Sequence, residues 1–285
     1  MQAAALHRPA AALAALHRLR HVGDAWHARA EPRLVPEEAA IAFVYDGVSH
    51  AVMMATPQDL EDFAVGFTLA ERLVASAADI ASVVPVHTGP DAWELRIGLA
   101  AGARLRAATS GVQRLTAPTG CGLCGVRCTR DALRALPAAG AAAQPAAWRA
   151  ADIAQAMEAL QSAQALNRQA HALHAAGLWR RDVGLLAVRE DVGRHCALDK
   201  LAGALARQGT SAAGGAVLMT SRISLELVQK AARQQACLLV AVSAPTALAV
   251  RTAQAAGITL VALARGRDFE VYTHPQRLAG HGAPP

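Results

Sequence analysis

Apolar and polar positions along the chain follow two rhythms, one early and one late. In the early part, the apolar runs I-A-F-V-Y and V-S-H-A-V-M-M flank Asp46-Gly47, a pair suited to the left-handed positions of a two-residue hairpin turn. Residues 41–54 therefore predict a β-hairpin. The next stretch, T-P-Q-D-L-E-D-F-A-V-G-F-T-L-A-E-R-L-V, places Leu60, Ala64, Phe67 and Val74 on or near one face of a helix. Thr56 is its expected N-cap and Pro57 its first helical residue. Short strands are expected around 83–87 and 93–97. Residues 31–133 thus read as a β-rich N-terminal part.

The later rhythm begins after R-A-L-P-A-A-G-A-A-A-Q-P-A-A, whose Pro and Gly oppose continuous helix and predict a flexible linker over 134–150. Asp152 is the expected N-cap of a long helix carrying Ile153, Met157, Leu160, Leu166, Ala170 and Leu173 and ending at Gly177. From there, apolar runs at 183–188, 216–220, 237–243 and 258–264 alternate with amphipathic segments at 197–207, 223–232 and 247–256. Strands that are apolar throughout and separated by helices predict a mostly parallel sheet covered on both faces. The expectation is an α/β domain over 151–285, and α+β for the chain as a whole.

Composition narrows this picture. Hydrophobic residues make up 53% of the 285 positions but aromatics only 4%, so the helices must pack through small side chains. The longest apolar run, 236–250, is cut by Ser243 and Pro245, and no membrane span is expected. Residues 1–30 carry no acid before Asp24, but His7, Arg8 and Pro9 break any secretory apolar core, and they read as a disordered extension. Five cysteines, three of them within 121–128, do not form a disulfide framework and favour a reducing cytoplasm. The net charge of +6 makes anionic partners plausible. Because the arginines are scattered, a phosphate-bearing small molecule accounts for that charge as well as nucleic acid does, and nucleic acid is not the favoured reading.

In such a sheet, ligands collect beyond the carboxyl ends of the strands. The expected loops there are R-E-D-V-G-R-H-C, T-S-R, S-A-P-T and R-G-R-D. They bring Arg194, His195, Ser221, Arg222, Thr246, Arg265 and Arg267 to one edge, with Gly193 and Gly266 permitting close backbone approach. Each loop alone is ordinary turn chemistry, and Ser221 and Thr246 are expected helix caps. Four loops of the same character suit a ligand with several phosphates.

The segment T-G-C-G-L-C-G-V, residues 119–126, holds Cys121 and Cys124. A zinc site needs four ligands, and C-x₂-C-x₃-C supplies three at most, with only remote His195 or Cys196 to complete it. A thioredoxin-like pair would open a helix after a strand, whereas this pair follows Pro118 and Gly120 and precedes the linker. The third use is nucleophilic: an accessible thiolate, held by cations such as Arg127 and Arg130, takes up sulfur as a persulfide. Cys237, in an apolar strand, reads as core. No H-x-E occurs in the chain, so zinc-deaminase chemistry lacks its parts.

Several segments together resemble the formate dehydrogenase accessory sulfurtransferases, the FdhD family: T-P-Q-D-L-E-D-F-A-V-G-F, T-G-C-G-L-C-G, E-D-V-G-R-H-C-A-L-D-K, S-R-I-S-L-E-L-V-Q-K-A, S-A-P-T-A-L-A-V and R-G-R-D-F-E-V-Y-T. They run in order over about residues 31 to 278. The resemblance implies a homodimeric sulfur carrier that takes sulfur from a cysteine desulfurase and delivers it to the bis-molybdopterin guanine dinucleotide molybdenum cofactor, destined for formate dehydrogenase. It implies Cys121 as persulfide carrier with Cys124 as companion. It assigns a GDP-like nucleotide pocket to Leu263, Ala264, Arg265, Gly266, Arg267 and Asp268. It also implies a cytidine-deaminase-like α/β fold, without deaminase chemistry, for the C-terminal part. No metal ligands are expected. A cofactor-binding chaperone without sulfur chemistry, or a zinc protein, are the alternatives. The chain departs from the family pattern at Cys196, where asparagine is usual, and at Glu71-Arg72, where E-G is usual.

Overall fold

A computed structural model describes residues 12–22, 25–28, 32–103 and 147–280. The C-G-L-C-G loop with Cys121, Cys124 and Cys128, and most of the expected linker, lie outside the described residues. Two short ladders come first: β1 (Leu13–Leu16) pairs antiparallel with β4 (Arg33–Pro36), and β2 (Leu19–Val22) with β3 (Ala25–Ala28). Part of the expected disordered extension is therefore strand, its backbone groups satisfied by a partner that the local composition did not advertise.

The N-terminal sheet has the order β6–β5–β8–β7, built from β5 (Ala39–Tyr45), β6 (Val48–Ala55), β7 (Ile80–Gly89) and β8 (Ala92–Leu99). The β5–β6 hairpin turns on Asp46 and Gly47 at φ 47° and 84°, as the Asp-Gly pair predicts. Ile41, Phe43 and Tyr45, spaced by two, are all buried and face helix α1 (Leu60–Ala70). Phe43 stacks on Phe67 at 4.0 Å and meets Phe63 edge-on at 5.1 Å. Burying a side chain of this size contributes about 2–3 kcal/mol.

The helix starts at Leu60 with Asp59 at its cap position, not at Thr56 and Pro57. Thr56 is taken by a tertiary contact: its N–H donates to Asp191 Oδ2 at 3.1 Å, its hydroxyl accepts from the Val192 N–H at 3.2 Å, and its carbonyl accepts from Lys200 Nζ at 2.8 Å.

In the C-terminal part, α2 (Ala150–Ala163) and a single turn α3 (Asn167–Ala170) lead into β9 (His174–Arg180) and β10 (Gly184–Asp191). Then α4 (Arg194–Arg207), β11 (Ala216–Met219), α5 (Leu225–Arg233), β12 (Leu238–Ala241), α6 (Ala247–Ala256), β13 (Thr259–Arg265) and β14 (Asp268–Val271) follow. The six strands lie in the order β10–β9–β11–β12–β13–β14. Strands β11, β12 and β13 are parallel neighbours, and β10 runs with them, while β9 and β14 run against their neighbours.

The expected long helix to Gly177 is thus two helices and a strand. Gly177 is no helix terminator: it lies in β9, where a Cβ would come within 2.9 Å of Leu160 Cδ1 on α2. Asp152 is likewise not the N-cap but sits in the first turn, with Arg149 at the cap position.

Side chains on the two faces of this sheet enter separate cores. Ala175, Trp179, Ala216, Leu218 and Val240 pack with α2, and Ala176, Leu178, Val217, Met219 and Leu239 with α4, α5 and α6. The two parts of the chain join where α1 crosses α4. A Cβ on Gly66 would lie 1.7 Å from the Asp199 carbonyl oxygen, and one on Gly203 1.8 Å from that of Asp62, so only glycine admits this approach.

Buried charges surround the crossing, each with a partner. Lys200 Nζ meets Asp191 Oδ2 at 2.6 Å, Lys230 Nζ meets Asp199 at 2.7 Å, and Arg189 and Arg207 bind the two oxygens of Asp62 at 2.6 and 2.5 Å. Burial pushes the Asp191 carboxyl up against the pull of Lys200. Burial likewise lifts Asp199 to about 6 despite Lys230.

Candidate functional site

Because β10, β11, β12 and β13 run the same way, their carboxyl ends share one edge, where β9 and β14 begin. On the α2 face of that edge lies a cavity of about 1160 Å³. Its floor is Thr220 and Val242, just past β11 and β12, together with Ala264 of β13. Arg265, Gly266 and Arg267 form one wall, and residues of α2 with Asn167 form the other.

The R-G-R-D segment is a tight hairpin: Arg265 and Asp268 are paired across it, and Gly266 turns at φ 60°. Before it, β13 carries an irregularity between Ala262 and Arg265, with Leu263 at φ 52°. A non-glycine residue in the left-handed region inside a strand costs about 1–2 kcal/mol. Here it re-aims the strand end, so that Ala264 is buried against the cavity and the two arginines stand exposed at its rim. Asp268, the first residue of β14, is exposed beside them.

The α2 wall is held from both ends. Asp152 accepts from the Arg149 N–H at 3.0 Å and pairs with Arg149 and Arg181 at 2.7 and 2.8 Å. Burial works against its charge, but Arg149 and Arg181 outweigh burial and hold the carboxyl down at about 2. At the other end, the Glu190 carboxylate accepts from the backbone N–H groups of Leu166 and Asn167 at 2.9 and 2.8 Å, and Asn167 Nδ2 donates to Gln164 Oε1 at 3.2 Å. The charged side chains on the lining are Glu158, Arg265 and Arg267, so the cavity carries a positive excess among amides.

Of the residues marked in the sequence, the cavity gathers Ala264, Arg265, Gly266 and Arg267. The rest stand elsewhere. Gly193, Arg194 and His195 belong to the start of α4, which begins three residues earlier than the sequence indicates. His195 is buried at 3% exposure. Ser221 is buried and does not cap α5, whose cap position is Ser224; its hydroxyl donates to the Arg222 carbonyl at 3.0 Å. Thr246 caps α6 as expected, accepting from the Ala249 N–H at 3.2 Å. Arg222 is exposed in the β11–α5 loop. These residues lie toward the α4–α6 face, because the loops after β10, β11 and β12 lead into helices there, while the cavity opens on the α2 face.

Sequence reasoning missed the cavity's α2 wall, Thr220, Asn167 and the supporting Glu190. Only the E-D-V-G run hinted at Glu190.

Cys196 and Cys237 are both buried. Cys196 packs in the N-terminal core, its thiol donating to the Met54 carbonyl at 3.6 Å, and burial pushes its pKa well up. A thiol kept protonated in apolar surroundings is a poor nucleophile, which leaves Cys196 a packing residue. Cys237 is core, as its apolar strand implies.

The geometry is that of an α/β protein with an anion-suited cavity at the carboxyl edge of its larger sheet. Known proteins resemble the chain in sequence and in fold. The model of the FdhD/NarQ family matches residues 36–279. A curated protein named sulfur carrier protein FdhD from Agrobacterium fabrum is 47% identical over 246 residues, covering 86% of this chain and 89% of that one. One of the same name from Cupriavidus necator is 47% identical over 248 residues, covering 87% and 84%. A crystal structure of a protein described as a formate dehydrogenase accessory protein, from Desulfotalea psychrophila, superposes with a TM-score of 0.74 at 22% identity, over 94% of this chain and all of that one, and shares the fold. The chain belongs to the FdhD/NarQ family. Among the described residues, no helix is long and apolar enough to cross a membrane.

Proposed function

We propose that this chain is a sulfur carrier serving formate dehydrogenase, a sulfurtransferase working through a persulfide on Cys121. The observation that carries the reading is family membership with relatives named sulfur carriers at 47% identity, in a chain that keeps C-G-L-C-G. In the loading step, the Cys121 thiolate attacks the terminal sulfur of a cysteine desulfurase persulfide. The donor's S–S bond breaks, the donor cysteine leaves as thiolate, and a new S–S bond forms on Cys121, with no net change in oxidation state. The acceptor is the bis-molybdopterin guanine dinucleotide molybdenum cofactor, bound as cargo.

The cavity fits the nucleotide part of such a cargo. Its volume suits a nucleotide, Arg265 and Arg267 offer forked donors to phosphate oxygens, and the amides of α2 offer hydrogen bonds to a base. The reading includes a homodimer in the cytoplasm, the latter supported by an odd number of cysteines without a disulfide framework.

Incubation with a cysteine desulfurase and cysteine, followed by intact-mass measurement, tests it. The wild-type chain is expected to gain ~32 Da per carried sulfur, and Cys121→Ala to gain none. No gain on wild type, or equal gain on Cys121→Ala, would leave a cofactor-binding chaperone as the better reading.

A further inference from the structure

A second locus suited to anions lies on the opposite face of the same sheet edge. His174 opens β9, and its neighbour Ala175 faces the α2 layer, so period-two alternation turns His174 toward α4, α5 and α6. Arg194 opens α4, which follows β10, and Arg222 lies in the loop that follows β11, the strands on either side of β9. Thr220, whose hydroxyl accepts from the Ala175 N–H at 2.9 Å, lines the cavity. The sheet edge therefore stands between the cavity and this cluster.

We propose that Arg194, Arg222 and His174 form a phosphoryl-binding site distinct from the cavity bounded by Arg265 and Arg267. Neither arginine has an ion-pair partner among the described residues. Of the carboxylates near this edge, Asp191 is engaged with Lys200 and Glu190 with the backbone of α3; Glu226 stands in the first turn of α5, four positions past Arg222. The Arg194 Nε atom is shielded from solvent and bonds to nothing among the described residues, although an unmet buried donor is costly. The first turn of α4, a helix of 14 residues, has neither an acidic residue nor a side-chain cap, so its amide groups add positive potential on the same side.

Burial first, and then the charges of Arg194 and Arg222, push the His174 pKa down. A neutral imidazole near two guanidinium groups can donate a hydrogen bond without adding to their repulsion. Two forked cations and one neutral donor match the several oxygens of a phosphoryl group.

The site stands on its own geometry, whatever becomes of the sulfur-carrier reading: absence of a persulfide on Cys121 would not alter it. The test is calorimetric titration of the full chain with inorganic pyrophosphate. On an Arg265→Gln, Arg267→Gln background, which removes the cavity's cations, pyrophosphate is expected still to bind. Adding Arg222→Gln, an exposed side chain, is expected to weaken that binding by about fivefold or more with an unchanged Tm. The single variant Arg222→Gln is expected to hold GDP within about twofold of wild type, because GDP seats in the cavity.

Loss of pyrophosphate binding in the background variant, or indifference to Arg222→Gln, overturns the proposal. So does a loss of GDP affinity in Arg222→Gln as large as in Arg267→Gln, which would make the two loci one. Titrating the background variant with GDP distinguishes the sources of the phosphoryl group. Binding of GDP assigns the site to a nucleotide's phosphates and binding of pyrophosphate alone to a free phosphoryl anion, and both support it.

Discussion

The crossing of α1 and α4 and the carboxyl edge of the large sheet are both rich in charge, yet they use it in opposite ways. At the crossing, Lys200, Lys230, Asp62, Asp191 and Asp199 are buried and every one is paired. At the edge, Arg265, Arg267 and Arg222 are exposed and have no carboxylate partner among the described residues. A charge withdrawn from water must find its counter-charge within the protein, so the crossing is closed to ligands. A charge left on an open rim can wait for one. The E-D-V-G-R-H-C-A-L-D-K run spans both regions: Asp191, Asp199 and Lys200 are framework, whereas Arg194 belongs to the edge.

Breaking the first region is expected to have the largest effect. Lys200→Met leaves the Asp191 carboxylate buried without its cation, and the expected loss is about 3–5 kcal/mol. In a calorimetric scan that is a fall in Tm of roughly 10 °C; an unchanged Tm would mean that the pair does not hold the crossing.

The second region is expected to respond in binding and not in folding. Arg265→Gln with Arg267→Gln should lower GDP affinity by about tenfold while chemical denaturation moves by less than ~0.5 kcal/mol. A large stability loss without a change in affinity would reverse the contrast between the two regions.

The smallest effect is expected at Arg72, which follows α1 at φ 59°. The chain holds this non-glycine residue in a backbone conformation that glycine adopts freely. Arg72→Gly should stabilise the crossing by up to about 1 kcal/mol, partly offset by the freer unfolded chain. A measured loss would show that the Arg72 side chain makes a contact worth more than its strain.

Much of this was legible beforehand where the signal is local. Asp46-Gly47 specifies its hairpin because two adjacent residues carry the required turn. The apolar runs of β11, β12 and β13 are strands buried on both faces and read as such. R-G-R-D marks a turn with two cations, and the cavity has both. Where the reading failed, a distant partner had overridden a local preference. Thr56 looked like a helix cap and is instead bound to Asp191 and Lys200, more than a hundred positions away. Gly177 looked like a helix end and is a strand residue made small for Leu160.

The class of the fold, the strands and helices that announce themselves by period, and the family, through motifs spaced along nearly the whole chain, are all written in local patterns of residues. Which charged residues are framework and which face an open site, and on which face of the sheet each of the latter lies, emerges from the folded arrangement alone. The physical reason is that a residue's period and type are properties of a few neighbours. Whether its charge is desolvated and neutralised depends on groups brought to it from elsewhere in the chain.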